Sequence, residues 1–220
     1  VVLDDDELEV SFRSGYRFCN RLTRVTLADV PQRTKNAVGK EGVLPYRLEI
    51  PTPGILNNLS LSETTRHPPG KDEVEVQVEA GGINFRDVMK VLGMYPGNSR
   101  DLKWLGDDFS GVVVRVGSKV TDLRVGDAVV GMAPNSFRSY VTINRDLVFS
   151  KPPQFSFEEA ATLPTVYLTA HYALNHLARM QKGESVLIHS GTGGVGQAGI
   201  RIAQNIGLTI YSTAGSPEKR

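Results

Sequence analysis

The chain has 220 residues, 40% of them hydrophobic, so it can bury a substantial core in one or two domains. Twenty-five basic and twenty-four acidic residues leave a net charge of +1, which offers no footprint for nucleic acid or an anionic membrane. No run approaches the roughly 20 apolar residues that span a bilayer, and no targeting signal is visible, so a cytoplasmic location is expected. Cys19 is the only cysteine, which excludes an intrachain disulfide and argues against a catalytic zinc of the Cys/His kind; no metal is expected.

A hairpin followed by a linker is predicted for residues 1–44. Two short strand patterns lie on either side of Ser14 and Gly15, which form a typical turn pair. Residues 26–44 are polar, have no clean period and contain proline and glycine, as linkers do.

A β-rich, barrel-like domain is predicted for residues 45–157. A short helix ending at Gly93, and then the turn GMYPG, interrupt a series of strand patterns. The clearest strand is 73–80, where valine alternates strictly with polar residues. The predicted strands are 46–51, 55–61, 73–80, 109–116, 128–132 and 140–143. Their close spacing indicates a compact substrate-binding unit.

Helical signals replace strand signals at Ser156, which forms a capping box with Glu159. Pro164 suits the first turn of a longer helix that would run to about Met180. Residues 185–220 then read as a strand, a glycine turn, a helix and a second strand.

This order predicts that 158–220 is the first part of a Rossmann-type domain, so the fold class is α/β plus β. The apolar run 186–188 is typical of a parallel strand covered on both faces, and the helix carries an apolar stripe that includes Val195. Two parallel strands cannot bury both faces of a sheet, so the sheet is expected to continue beyond Arg220 or to be completed by something else, and the chain is expected to be truncated.

The glycine turn predicts a dinucleotide site, because Gly191, Gly193 and Gly196 fit GxGxxG. In this motif the first glycine allows the turn, the second lets backbone N–H groups approach a pyrophosphate, and the third lets the helix pack closely. The helix N-terminus that follows favours an anion. The predicted cofactor contacts are Ser190, Gly191, Thr192, Gly193, Gly194, Val195 and Gly196. A turn that serves packing alone is the alternative.

The end of the second strand predicts NADPH rather than NADH. An NAD site usually places an acid there, whereas this chain has Thr213, Ser216 and Lys219, with Arg220 just beyond. Hydroxyls and cations would suit a 2′-phosphate. The alternative is a solvated turn with surface cations, in which the nearby Glu218 begins a helix.

The chain resembles the medium-chain dehydrogenase/reductase superfamily in four stretches, which occur in the expected order. They are INFRDVMKVLGMYPG, LGDDFSGVVVRVGSKVTDLRVGDAVVG, FEEAATLPTVYLTAHYAL and VLIHSGTGGVGQAGIRIAQ. More narrowly, it is similar to the enoyl reductase domains of polyketide synthases, in particular fungal highly reducing ones, and of animal-type fatty acid synthase. The arginine-rich opening, ELEVSFRSGYRFCNRL, favours this over a free-standing quinone reductase.

The resemblance implies roles for several residues. Asn84 opens the NFRD element, which lies at the floor of the cleft near the nicotinamide; alternatively Asn84 caps the next helix and Asp87 interacts with its dipole. Thr169 matches a threonine near the nicotinamide, or else bonds only its own helix backbone. Lys219 matches a lysine near the 2′-phosphate, whereas His189 is expected to be structural.

Tyr95 is the candidate catalytic residue. It matches a tyrosine that is linked, in bacterial polyketide enoyl reductases, to the stereochemistry of protonation at Cα, and a phenol can donate a proton to an enolate. The alternative is a ring that packs under a turn. The family's other candidate donors, a lysine and an aspartate, are expected beyond Arg220.

The resemblance therefore implies an NADPH-dependent enoyl reductase that works without zinc. Hydride would pass to Cβ of an α,β-unsaturated thioester on an acyl carrier protein, and a proton to Cα. The expected partners are this carrier-bound substrate and neighbouring synthase domains, and a homodimer is compatible because relatives tend to pair. A free-standing quinone or enone reductase and a non-catalytic architectural domain are the alternatives.

Overall fold

In the computed structural model, the described residues are 44–96 and 104–219, together with the backbone of two strands near the N-terminus. The chain divides into two compact units, Val1–Val38 and Gly39–Arg220. In the first unit, β1 (Val10–Arg13) and β2 (Tyr16–Cys19) pair in antiparallel fashion, as the predicted hairpin requires. The predicted linker at 26–44 lies outside the described residues, apart from its last residue.

A five-stranded antiparallel sheet is the centre of the second unit. Its strands are β5 (Glu73–Gly82), β6 (Asp108–Val116), β7 (Ala128–Met132), β8 (Tyr140–Asn144) and β9 (Val148–Ser150), and their order is β8-β5-β6-β7-β9. A separate antiparallel pair consists of β3 (Tyr46–Glu49) and β4 (Ser60–Glu63). The predicted β-rich unit is confirmed.

The alternation in β5 explains its place at the middle of this sheet. Val74 and Val76 are fully buried, and they pack in one core cluster with Phe109 of β6. Glu75 lies between them in the chain and therefore points to the opposite face. The remaining buried members of the cluster are Val113, Leu123, Val129, Ala133, Val141 and Val148.

Two strand predictions in this unit need correction. Residues 55–61 do not form one strand: a 3-10 helix, Leu56–Asn58, precedes β4. Ile55 and Leu56 are 49% and 56% exposed, so there is no core contact to hold them in an extended strand. The sequence also did not predict β9, because three residues are too few to show an alternation.

Three helices accompany the sheet in the chain: α1 (Phe85–Val91), α2 (Phe157–Ala161) and α3 (Pro164–His171). Of these, α2 packs on β5 and β6, and α3 contacts β7. The capping box is confirmed, since the Ser156 N–H donates to the Glu159 carboxylate at 2.8 Å and the Glu159 N–H donates to Ser156 Oγ at 3.1 Å. The α-helix predicted to run to Met180 is shorter. It changes at His171 into a π-helical segment, Tyr172–Leu177, whose wider turns are closed by i to i+5 hydrogen bonds.

The parallel unit consists of β10 (Ser185–Ile188), α4 (Gly194–Ile206) and β11 (Thr209–Ser212). The strands pair in parallel, with Val186 opposite Ile210. Gly207 ends α4 in the left-handed conformation, with φ of 86°, which glycine adopts without strain. The predicted start of a Rossmann-type sheet is confirmed.

Only one face of this parallel pair is covered within the described ranges. A Cβ on Gly199 of α4 would lie 3.4 Å from Ile188 Cδ1, so α4 packs on the Ile188 face. Leu187 and Tyr211, on the other face, are 56% and 60% exposed, so none of the described residues covers that face. Val195, predicted for the buried stripe of α4, is 45% exposed. No helix among the described residues has the length and apolar character needed to cross a membrane.

Candidate active site

Three glycines shape the loop between β10 and α4. A Cβ on Gly191 would lie 1.9 Å from Ser212 Oγ, and one on Gly196 would lie 2.4 Å from the Ser190 carbonyl oxygen. These two glycines therefore let the turn approach β11 and let α4 approach the turn. A Cβ on Gly193 would meet only the Ser190 carbonyl oxygen, at 3.3 Å, so the space beside Gly193 is largely open.

Thr213, just after β11, holds this turn in place. Ser190 has a φ of 54°, which is uncommon for a residue with a side chain, and its N–H donates to Thr213 Oγ1 at 3.1 Å. The Gly191 N–H donates to the Thr213 carbonyl at 2.9 Å, and His189 Nδ1 lies 3.3 Å from the Thr213 hydroxyl. Thr213 thus links the end of β11 to the glycine turn and to His189 at the end of β10.

A cavity of about 640 Å³ lies along the turn. It is lined by Ser190, Gly193, Gly194, Val195 and Gly196, which are five of the seven turn residues predicted to contact a cofactor. The first turn of α4 has N–H groups without intrahelical partners, and the helix dipole favours an anion there. The open space at Gly193 and these N–H groups fit the pyrophosphate of a dinucleotide.

Phe85, the first residue of α1, also lines this cavity and brings the NFRD element to its edge. The Asn84 N–H donates to the Asp87 carboxylate at 2.9 Å, and the same carboxylate accepts the Gly106 N–H at 2.9 Å. Asp87 is 3% exposed, so its charge serves the start of α1. For Asp87, the structure agrees with the capping interpretation.

Asp108, the first residue of β6, joins three elements. Its carboxylate accepts hydrogen bonds from Asn84 Nδ2 at 3.0 Å, from the Thr165 N–H at 3.1 Å and from Thr165 Oγ1 at 2.7 Å. The residue is 2% exposed, and this burial raises the pKa of Asp108 although the hydrogen bonds act to lower it. Asp108 therefore fixes the Asn84 amide beside α1 and ties α3 to the sheet.

Tyr95 lines a second cavity, of about 320 Å³, which it shares with Arg86 and Asp107. Arg86 forms an ion pair with Asp107, and its Nε donates to Asp107 Oδ2 at 3.1 Å. The pKa of Arg86 is raised mainly by the hydrogen bond to Asp107 and to a smaller extent by a hydrogen bond to Tyr95. Lys90 Nζ lies 5.7 Å from the centre of the Tyr95 ring. The phenol is thus close to two cations.

The segment after β11 contains the predicted 2′-phosphate contacts. Pro217–Lys219 form a 3-10 turn in which the Lys219 N–H donates to the Ser216 carbonyl at 3.2 Å, and Lys219 is exposed. A hydrogen bond from Ser216 lowers the pKa of Glu218, which lies in the first turn of this helix as the alternative interpretation expected. Ser216 and Lys219 do not line the 640 Å³ cavity, and Arg220 lies outside the described residues.

Thr169 is exposed on α3, one residue before Ala170, which lines the cavity along the glycine turn. The threonine that contacts the site framework is instead Thr165, one turn earlier. Sequence reasoning missed both Thr165 and Asp108. Two consecutive acids at the entry to an otherwise apolar strand, Asp107 and Asp108, were the signal that was available.

Several known proteins are similar to this chain. Residues 70–153 match the alcohol dehydrogenase GroES-like domain. The phthioceranic/hydroxyphthioceranic acid synthase of Mycobacterium tuberculosis is 42% identical over 221 residues, which is 100% of this chain and 10% of the synthase. The crystal structure of the CurK enoyl reductase is 41% identical with a TM-score of 0.74, covering 80% of this chain and 55% of that one. The Escherichia coli quinone oxidoreductase complexed with NADPH is 32% identical with a TM-score of 0.67, covering 79% and 54%.

The chain thus contains an alcohol dehydrogenase GroES-like domain, and it is homologous to polyketide synthases and to solved enoyl and quinone reductases of the medium-chain dehydrogenase/reductase superfamily. The resemblance to synthase enoyl reductases is confirmed as a family relationship. The chain spans about half the length of the solved reductases and about a tenth of the length of the synthase. Its GroES-like match includes Asn84, Tyr95 and Asp108. In the part of the chain that the structure describes, no group of three His, Cys, Asp or Glu residues could hold a metal ion.

Proposed function

We propose that this chain acts in an NADPH-dependent enoyl reductase, which reduces the Cα=Cβ bond of a thioester carried by an acyl carrier protein. The observation that carries the proposal is the cavity along the glycine turn, which reaches the NFRD helix at Phe85. A dinucleotide held by its pyrophosphate at α4 would extend toward α1 and α3. The similarity to the CurK enoyl reductase supports the substrate class.

NADPH, when bound, supplies the hydride. The N–H groups of the first turn of α4 would bind the pyrophosphate, with Gly191, Thr192 and Gly193 shaping the approach. Thr213, Ser216 and Lys219 follow β11, where an NAD site would have an acid, and their hydroxyls and cation suit a 2′-phosphate. The NADPH complex of the quinone oxidoreductase supports this choice of cofactor.

The β-rich unit would supply the proton. Asn84, fixed by Asp108, and Thr169 would lie toward the nicotinamide, while Tyr95 would donate its phenolic proton to Cα after hydride reaches Cβ. Arg86 would stabilise the resulting phenolate, which water then reprotonates. Two electrons and two hydrogens are thus added across the double bond.

The proposal also assigns roles to the two domains and names the partners. Residues 45–157 would bind the substrate and 158–220 would begin the cofactor domain. By the relationship to a polyketide synthase, the partners would be a carrier-bound enoyl thioester and neighbouring synthase domains, in the cytoplasm, and a homodimer is compatible with this setting.

The direct test is an assay of the full-length protein with NADPH that is deuterated on the nicotinamide and with a crotonyl thioester. We expect a butyryl product with deuterium at Cβ and, in heavy water, deuterium at Cα, both read by mass spectrometry. Consumption of NADPH with benzoquinone alone would contradict the proposal in favour of a quinone reductase. Binding of NADPH without reduction of either substrate would favour an architectural domain.

A further inference from the structure

Lys90 presents a buried ammonium to the 320 Å³ cavity. It is 5% exposed, and its Nζ donates to the Trp104 carbonyl at 2.8 Å. Among the described residues no carboxylate forms an ion pair with it. An ammonium has three N–H donors, and a buried charge needs polar partners to offset its lost hydration. Lys90 therefore has donors to spare at the cavity wall.

Asn135 provides an independent observation on the same cavity. The residue is 6% exposed and lines the cavity, and its amide oxygen has no hydrogen-bond partner in the described part of the chain. Its φ of 62° is in the left-handed region, which asparagine tolerates better than most residues. Buried amide oxygens nearly always accept a hydrogen bond, so a donor that is not part of the described chain is expected here.

The remaining wall restricts what such a ligand can be. Arg86 and Asp107 neutralise each other, and Trp104, half exposed, adds an aromatic surface. An alkyl chain would leave the Lys90 and Asn135 groups unpaired. An ionised carboxylate or phosphate has no hydrogen to donate to the Asn135 oxygen. A neutral, planar secondary amide supplies one donor, for the Asn135 oxygen, and one acceptor, for a remaining N–H of Lys90.

We propose that this cavity binds an amide group of the pantetheine arm that carries the thioester. The amide N–H donates to Asn135 Oδ1, and Lys90 Nζ donates to the amide carbonyl. Tyr95 lines the same cavity, so an arm bound here brings its thioester toward the phenol. The inference rests on the proposed function, because it concerns the carrier arm of that substrate, and it makes Asn135 and Lys90 residues that determine specificity.

Binding of two non-reducible ligands tests this without turnover. Butyryl-pantetheine contains the amides, and S-ethyl thiobutyrate lacks them; both are titrated into the full-length protein and followed by ligand-observed NMR. We expect the wild type to bind butyryl-pantetheine more tightly. In Asn135→Gly this preference should fall by about 3- to 10-fold, the usual effect of one hydrogen bond, with the affinity for the ethyl thioester unchanged. Glycine keeps the left-handed backbone without strain.

A lysine pair completes the experiment. Lys90→Met retains most of the stem and should weaken butyryl-pantetheine by about 10-fold or more, since its hydrogen bond is charged. Lys119→Met, on an exposed lysine that pairs with Asp72, should change nothing. Lys90 also donates to the Trp104 carbonyl, so Lys90→Met could change the fold. Its binding result is therefore used only if its melting temperature equals that of the wild type. The result for Asn135→Gly decides whether the inference holds.

Two results would overturn the inference: no preference for the pantetheine ligand in the wild type, or an unchanged preference in Asn135→Gly. Its failure is distinguishable from that of the proposed function. Reduction of a crotonyl thioester by an Asn135→Gly protein with wild-type preference overturns only the inference. A wild type that distinguishes the two ligands but reduces no thioester supports the cavity assignment and contradicts the reductase.

Discussion

The surroundings of Tyr95 suit a group that gives up a proton. Arg86 interacts with the phenol strongly enough to raise its own pKa, and Lys90 Nζ lies 5.7 Å from the ring centre, so a phenolate formed during the reaction would have two cations nearby. The ring is half-buried, which also leaves a packing role open to test. Proton donation requires the hydroxyl of Tyr95, whereas packing requires only its ring.

Tyr95→Phe removes that hydroxyl and keeps the ring. We expect turnover to fall by up to roughly 10²- to 10⁴-fold, as for loss of a general acid, or another donor to deliver the proton with altered configuration at a branched Cα. The assay is reduction of a 2-methyl enoyl thioester, with the product resolved by chiral chromatography. Tyr167→Phe, on the exposed side of α3, is the control. Wild-type rate and configuration would show that Tyr95 only packs.

Lys219 allows a separate test of cofactor choice. Lys219→Glu should weaken NADPH more than NADH, because a carboxylate would repel the 2′-phosphate that only NADPH carries. Fluorescence titration of both cofactors measures the ratio, and Lys71→Glu, an exposed lysine of the β-rich unit, should leave it unchanged. Equal weakening of both cofactors would mean that Lys219 does not meet the 2′-phosphate.

The residues that could be predicted from the sequence are those whose motifs are local. The glycines of the turn and the Ser156 capping box are each defined within six residues of chain. The acid pair at 107–108 was visible in the sequence, but the partners of Asp108 could not be predicted, since Asn84 and Thr165 are 24 and 57 positions away. Asn135 was also missed, because its unpaired oxygen depends on which side chains the fold brings around it.

At the scale of elements, Asp108 is the joint between α1, β6 and α3. Asp108→Leu should lower the free energy of unfolding by roughly 3 kcal/mol, because it leaves the Asn84 and Thr165 donors buried without an acceptor. Asp108→Asn should cost less, since its amide oxygen can still accept from Thr165 and the Asn84 amide can turn to accept from its nitrogen. Urea unfolding of both variants measures the difference. Equal and small losses would show that the joint contributes little.

The elements that departed from prediction are those whose form depends on contacts beyond their own sequence. The apolar run at 55–61 has the composition of a strand, yet Ile55 and Leu56 find no core and form a 3-10 turn. The helix after Pro164 has good helical residues to Met180, but it widens into π geometry from Tyr172. In contrast, β5 was predicted correctly, because a half-buried strand repeats its pattern every two residues.

At the scale of the whole molecule, an ion-pair cluster stabilises the face of the central sheet that lies opposite the valine core. Glu75 of β5 is fully buried, and its carboxylate accepts bonds from Arg66, at 2.7 Å, and from Arg115, at 2.6 Å. Arg66 also lies 3.9 Å from the centre of the Tyr140 ring. Burial acts to raise the pKa of Glu75, but the hydrogen bonds and charges of the two arginines outweigh it and lower the pKa to about 2.

This cluster predicts a pH dependence of stability. The pKa of Glu75 is lower in the folded state than its ordinary value of about 4.3, so the unfolded chain binds the proton more readily. The stabilisation, about 3 kcal/mol, is complete above about pH 5 and is lost as the pH falls toward 2. Glu75→Gln should have a lower free energy of unfolding than the wild type at neutral pH. As the pH is lowered, its free energy of unfolding should fall less, because it lacks the Glu75 contribution. Urea unfolding from pH 7 to about 3 measures it; parallel curves for the two proteins would contradict the account.

Gly193→Val tests most directly whether the glycine turn holds NADPH, as we propose. Gly70→Val is the matched control, because an added Cβ there also meets one neighbour at just over 3 Å, in the β-rich unit. NADPH is titrated into the full-length wild type and both variants, with a thermal melt of each. We predict that Gly193→Val loses NADPH binding while its melting temperature and the binding of Gly70→Val stay at wild-type values. NADPH bound by Gly193→Val as tightly as by the wild type would contradict the account.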